Sequence, residues 1–294
     1  MEFHLYLPQM RMTMPEIVER ARNAERAGFA GIGLMDHLAP PQYIQGTMYE
    51  AMSTAGWIAA KTENLKVGHL VLCDMFRHPV VLAKQAVTLD HASEGRFELG
   101  IGWGSVPAEL GRYGVGSTTP KVRVERMAET LAVLRLLWSG EQVSYQGEFF
   151  QLNEVMAHPV PTAPIPITIG GTGPRTLELV AEYADWWNLQ INKIVELERL
   201  RSRAGKARVS IQQLITVVPP GATEAERDEI LTTAQRRFGQ MGSNGGLVAG
   251  TPAELTAHYR RMTDQGIDRT YAWFTDFAKP ATLEAFAEVI ENLR

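Results

Sequence analysis

Apolar positions along the chain switch repeatedly between a period of two and a period near 3.6, the change that separates strands from helices. Residues 2–7 alternate, favour β structure and stop at Pro8. Within 14–28, Ile17, Val18, Ala21, Ala24 and Ala27 then fall on one helical face, with Pro15 in the first turn and Gly28 at the C-terminal end, the punctuation of a helix. The same pairing of strand and helix recurs at 32–36 with 49–62, at 65–72 with 80–92, and at 96–100 with 123–138. Residues 143–152, centred on Gly147, read as an inserted hairpin. Further pairs follow at 164–169 with 175–183, 186–191 with 195–204, 209–218 with 224–241 and 270–275 with 283–292, and one more helix spans 254–265.

Eight short strands, apolar on both sides and separated by amphipathic helices, require a parallel sheet covered by helices. No dinucleotide fingerprint follows the first strand, and eight regular units favour closure over an open, doubly wound sheet. The expected fold is α/β, a (β/α)8 TIM barrel with an inserted hairpin and long loops on its C-terminal face, in one domain covering 1–294. The longest stretch without periodicity, 102–119, is assigned to the site, because long loops in compact domains are usually functional.

Composition narrows the picture. A chain of 294 residues, 45% hydrophobic, buries enough surface to need neither disulfide nor structural metal. Its single cysteine, Cys73, cannot form an internal bridge or a multi-thiolate zinc site and points to a reducing cytoplasm. No apolar run approaches the length that spans a bilayer. The net charge of −4 is dispersed, which argues against a nucleic-acid surface and leaves a small molecule as the expected partner.

In a parallel barrel the polar residues at the C-terminal ends of the strands face the active-site mouth. Five places qualify. Asp36 and His37 close the second strand, where a carboxylate and an imidazole can bind a ring edge, relay a proton or simply cap a loop. Around the third strand, His69 and Cys73 read as packed residues, and His78-Pro79 as the start of a helix. Gly100, Gly102 and Gly104, spaced two apart, let backbone approach a flat ligand or a crowded neighbouring strand. Glu109 is the first carboxylate of the loop that follows, a proton donor or an exposed loop acid. In Gly170-Gly171-Thr172-Gly173-Pro174-Arg175, glycines and a helix N-terminus form an anion site that Thr172 and Arg175 can complete. Trp186-Trp187-Asn188 can wall a planar ligand or pack the core. No strand carries a His-x-His pair, so no metal is expected.

Taken in order, Gly28-Phe29-Ala30-Gly31 before Asp36-His37, Phe76-Arg77-His78-Pro79, Leu89-Asp90-His91-Ala92-Ser93-Glu94-Gly95-Arg96, Leu99-Gly100-Ile101-Gly102, Ile169-Gly170-Gly171 and Ala184-Asp185-Trp186-Trp187-Asn188 resemble the luciferase-like flavin- and deazaflavin-dependent oxidoreductases. The resemblance implies a cofactor ring across the strand ends, backed by a non-proline cis peptide between Leu70 and Val71. It implies cofactor contacts from Asp36, Leu70, Val71 and Gly102, and from Gly171, Thr172, Gly173 and Arg175 around a phosphate. The chain is more similar to the deazaflavin branch, which uses coenzyme F420 for hydride transfer, than to the FMN monooxygenases, which remain the alternative. Ser105 stands where the branch's sugar-phosphate dehydrogenases carry a catalytic glutamate, and their tryptophan after the Asp-His pair is missing. His37 and Glu109 are therefore the implied proton-transfer residues. A homodimer is expected, with 143–152 contributing to its surface. A metal-dependent sugar isomerase and a silent flavin-binding barrel are the readings from other classes.

Overall fold

The computed structural model describes residues 1–41, 43–239 and 246–294. The first part of the chain runs through β1 (Glu2–Leu7), α1 (Met14–Arg26), β2 (Gly31–Leu34), α2 (Ala51–Ala59), β3 (Lys66–His69), its short continuation β4 (Leu72–Cys73), α3 (Pro79–Ala92) and β5 (Phe97–Gly102). Helices α4 (Pro107–Tyr113) and α5 (Pro120–Trp138) follow, and then an antiparallel hairpin of β6 (Val143–Gln146) and β7 (Gln151–Val155). The chain resumes with β8 (Ile167–Gly170), α6 (Pro174–Tyr183), β9 (Trp186–Leu189), α7 (Leu197–Arg201) and β10 (Arg208–Val217). It ends with α8 (Glu224–Phe238), β11 (Leu247–Gly250), α9 (Pro252–Asp264), β12 (Arg269–Phe274) and α10 (Pro280–Glu291).

Parallel pairing runs β1–β2–β3–β5–β8–β9–β10–β12 and closes where Leu5 of β1 lies opposite Ala272 of β12. This is a closed, eight-stranded parallel barrel ringed by helices. The strands are short and apolar because each is covered twice, by the barrel interior and by a helix. Ile17, Ala21 and Ala24 of α1 and Phe286 of α10 are wholly buried in the layer between strands and helices. Helix starts follow the capping chemistry of the sequence: Thr223 and Thr251 each accept from the N–H three residues on, where Glu226 and Glu254 reach back. His78 caps α3 by accepting from the Val80 N–H.

Several boundaries differ from the sequence expectation. The third strand is not continuous: it breaks between β3 and β4, although the Leu70–Val71 peptide bond is cis, as the resemblance implied. The stretch 102–119 holds α4, a helix too short for its periodicity to register. The hairpin extends to Val155. The fourth strand runs on to Gly102, and 195–204 holds the end of a 3₁₀ helix, Ile191–Glu196, and the five-residue α7. Helix 224–241 ends at Phe238, and its expected last residues, 240 and 241, lie outside the described residues. The unforeseen β11 pairs with β10 beyond the end of β9, Leu214 opposite Leu247.

The N-terminal end of the barrel is plugged by charge. Arg269, wholly buried, is held by Glu98 through Nη1–Oε2 at 2.6 Å and Nη2–Oε1 at 3.1 Å, and by Glu2 at 2.7 and 3.0 Å. Its guanidinium lies 3.6 Å from the centre of the Trp186 ring, a stacking that a planar cation allows. Burial pushes the Glu98 carboxyl up, but the charges of His4 and Arg269 and the hydrogen bonds from Arg269 bring it below the usual range. Glu2 is likewise lowered, against its burial, by the His4 hydrogen bond and by Arg269.

Because removing one partner strands the others without compensation, Arg269→Ala is expected to lower unfolding free energy by about 3–5 kcal/mol, measured by urea titration. Both carboxyls titrate lower in the folded state, so the unfolded chain binds more protons in acid. Their contribution is full above the ordinary carboxyl value of about 4.3 and falls as pH drops through the lower folded values. The stability of Arg269→Ala should therefore fall less steeply over that acid range than that of the parent protein.

Candidate active site

The strands open, at their C-terminal ends, into a cavity of about 470 Å³. One wall and floor come from the third and fourth barrel strands, through Leu70, Val71, Leu72 and Gly102. The glycine spacing in β5 has a local cause. A Cβ at Gly100 would sit 1.8 Å from the His69 carbonyl oxygen, and one at Gly102 would sit 2.7 Å from Val71 Cγ2. At Gly100 the crowding partner is backbone, which cannot move aside, so here the crowded-strand reading of the motif holds. Gly102 faces Val71 on the cavity wall itself.

His37 and Glu109 meet at the cavity's edge, and both line it. His37 Nδ1 lies 2.7 Å from Glu109 Oε2, and Glu109 Oε1 accepts from the N–H groups of Leu38 at 2.7 Å and Ala39 at 3.4 Å. Helix α4 makes this contact possible, because it turns Glu109 inward to a buried position. Burial alone would raise the Glu109 carboxyl, but the His37 hydrogen bond and charge and the two N–H donors hold it below the usual range. The carboxylate is thus an acceptor on both oxygens, so that in the neutral imidazole the proton sits on Nδ1 and Nε2 keeps a lone pair.

Asp36 also lines the cavity, but its oxygens are committed. Oδ2 accepts from the Cys73 N–H at 2.8 Å and from Arg77 Nη1 at 2.6 Å, and Oδ1 accepts from Arg77 Nη2 at 3.0 Å. Arg77 reaches on to Glu50 at 2.6 Å, and Glu50 caps α2 through the N–H groups of Met52 and Ser53. Asp36 therefore ties the end of β2 to β4 and, through Arg77, to α2. Cys73 and His69 are packed groups: burial pushes the Cys73 thiol up to about 12 and the His69 imidazole down to about 4.

On the strand next to β5, Gly170 and Gly171 form the turn after β8 and line the cavity. Gly171 has φ +124°, and its carbonyl accepts from Trp187 Nε1 at 2.8 Å. Helix α6 starts at Gly173 with no side-chain cap, and Pro174 follows. Its first N–H groups are therefore left for an outside acceptor. Thr172 is partly buried and Gly173 exposed on the same turn. Arg175 lies outside the cavity lining, 42% exposed, with its guanidinium on Glu125 at 3.0 Å and Glu178 at 3.0 Å. Of the residues expected from sequence, Asp36, His37, Leu70, Val71, Gly102, Glu109 and Gly171 share the cavity.

Sequence reasoning passed over Tyr6, Met35, Gln190 and Gln212, which also line it. Gln212 carried a usable signal, a polar residue in the middle of the apolar strand β10. Tyr6 is apolar in pattern, and only closure of the barrel turns it toward the mouth. Among the described residues no three His, Cys, Asp or Glu side chains gather as a metal site, and no helix is long and apolar enough to cross a membrane.

The profile of the luciferase-like monooxygenases matches residues 1–272. The chain belongs to this family. Among relatives of this luciferase-like chain is the F420-dependent hydroxymycolic acid dehydrogenase of Mycobacterium tuberculosis, 30% identical over 66% of this chain and 54% of that protein. Another is the F420-dependent glucose-6-phosphate dehydrogenase of Microbacterium testaceum, 31% identical over 69% of this chain and 63% of that protein. The chain thus matches a little over half of the length of these relatives. Solved structures share the fold throughout: an F420-dependent secondary alcohol dehydrogenase in complex with an F420-acetone adduct superposes with TM-score 0.83 at 18% identity, covering 100% of this chain and 99% of that one. The monooxygenase RslO1 from Streptomyces bottropensis superposes with TM-score 0.81, also at 18% identity, over 99% of each chain.

The Asp36–Arg77 pair braces the cavity of this family member. Arg77→Ala is expected to destabilise it by about 3–5 kcal/mol, because Asp36 is left buried and unpaired. Arg77→Lys should restore only part of that, since an ammonium cannot bridge both oxygens. Chemical denaturation of the three proteins checks the order.

Proposed function

We propose that the protein is an oxidoreductase that transfers a hydride between coenzyme F420 and a small organic substrate. The observation that carries this reading is the cavity's division of labour. It has a wall of Leu70, Val71 and Gly102, an uncapped helix start beside Gly171 and an imidazole–carboxylate pair, His37 with Glu109. These residues suit a flat, phosphate-bearing redox cofactor. A side chain at Gly102 would collide with Val71, and the α6 N-terminus has donors to spare for a phosphate. The F420-dependent dehydrogenases among the relatives support the choice of deazaflavin.

When bound, F420 supplies two-electron hydride chemistry. Leu70, Val71 and Gly102 would hold its ring, and Gly171, Thr172 and Gly173 its phosphate. Asp36 keeps β4 in place through the Cys73 N–H, and Arg175 secures α6 to α5 through Glu125. His37 is the catalytic base, taking the substrate's proton on Nε2. Glu109 is its positioning residue, fixing the tautomer through Nδ1. The protein works on a small molecule in a reducing cytoplasm and assembles as a homodimer, which light scattering reads directly.

FMN is the second cofactor to test, because monooxygenases share the fold. Fluorescence titration of apoprotein with F420 and with FMN is expected to give saturable binding of F420. No F420 binding at high micromolar concentration overturns the proposal. His37→Ala should bind F420 as tightly as the parent and lose roughly 10²–10⁴-fold in kcat, and unchanged kcat would remove His37 from the chemistry.

A further inference from the structure

We propose, resting on the reading above, that the substrate is an uncharged hydroxyl or carbonyl compound and that phosphorylated and carboxylated molecules are rejected. Among the described residues no Lys or Arg lines the cavity. Its polar groups are the neutral side chains of Tyr6, Ser105, Asn188, Gln190 and Gln212, the His37–Glu109 pair, and Asp36. The residues outside the description, Gln42 and the run Gln-Met-Gly-Ser-Asn-Gly at 240–245, contain no cationic side chain either.

Of three guanidiniums behind the cavity walls, Arg77 and Arg175 are bound by carboxylates, and Arg123 is buried with no carboxylate among the described residues and with Nε unsatisfied. Arg77 is bound by Asp36 and Glu50. Arg123, 1% exposed, donates to the Gly104 carbonyl at 2.7 Å and lies 4.7 Å from the centre of the Trp103 ring, so Gly104 separates it from the cavity. Arg175 is bound by Glu125 and Glu178. The α6 N-terminus is the anion-ready element of the site, and the cofactor's phosphate claims it.

A substrate anion beside His37 would therefore lose water and gain no cation, with the Glu109 carboxylate 2.7 Å behind the ring. Amides and hydroxyls at Gln190, Gln212 and Ser105 can instead donate to, or accept from, an alcohol or a ketone. In the oxidative direction the carbinol C–H bond breaks, its hydride passes to the deazaflavin, the hydroxyl proton passes to His37 Nε2 and a C=O bond forms. Two electrons leave the substrate and two reach the deazaflavin.

Matched pairs test this: 2-butanol against lactate, and glucose against glucose 6-phosphate. Calorimetric titration of the F420-loaded protein is expected to detect the neutral member of at least one pair and neither anion. F420 reduction should be at least roughly 10³-fold slower in kcat/KM with the anion of that pair. Gln190→Lys should bring anion binding into range, a gain of about tenfold. Equal or tighter binding of the anion, or binding of neither member of both pairs, overturns the inference. Failure of F420 itself to bind overturns the functional reading instead, and the same titrations on the protein without cofactor then decide the charge preference.

Discussion

The approach of β5 to the third strand governs the site. At Gly100 the His69 carbonyl occupies the place of a side chain, at 1.8 Å from where Cβ would be. Two backbones this close leave no room for an ordinary strand residue. Just above that contact the third strand breaks, so that Leu70 and Val71 turn into the cavity and β4 resumes beside β5, Leu72 opposite Ile101. The wall is thus made of main chain and two aliphatic side chains, above an interstrand contact lower in the barrel.

Polar residues are arranged around this wall by a second rule: the charges that line the cavity are paired, and Arg123, behind Gly104, rests on a carbonyl and the Trp103 ring. Asp36 has Arg77, Glu109 has His37 and two N–H groups, and Arg175 has Glu125. Paired charges keep fixed positions in a low-dielectric site, where an unpaired one would draw in water or a counter-ion. The neutral amides and hydroxyls are left to face whatever enters.

Much of this was legible in the chain because periodicity reports burial directly. All eight barrel strands overlap the segments where alternation or short apolar runs placed them, though the third is broken and the fourth runs longer, and Asp36, His37 and Gly171 stood out as polar or glycine residues at strand ends. Features that depend on partners distant in sequence were harder. β11 follows a glycine-rich stretch and reads as loop, yet pairing with β10 makes it a strand. Arg175 looked like a free cation because nothing in its neighbourhood reveals Glu125, fifty residues earlier and close in space. The glycines of β5 had two readings, and only the position of His69 separates them.

The ion pairs around Arg269 carry one more consequence. The small void lined by His4, Glu98 and Tyr271 has no room for a water molecule, so nothing passes through the lower barrel. Ligand traffic is confined to the mouth, which opens at the C-terminal ends of the strands. A vessel stoppered at the bottom has a single opening, and the barrel keeps it single without any moving part.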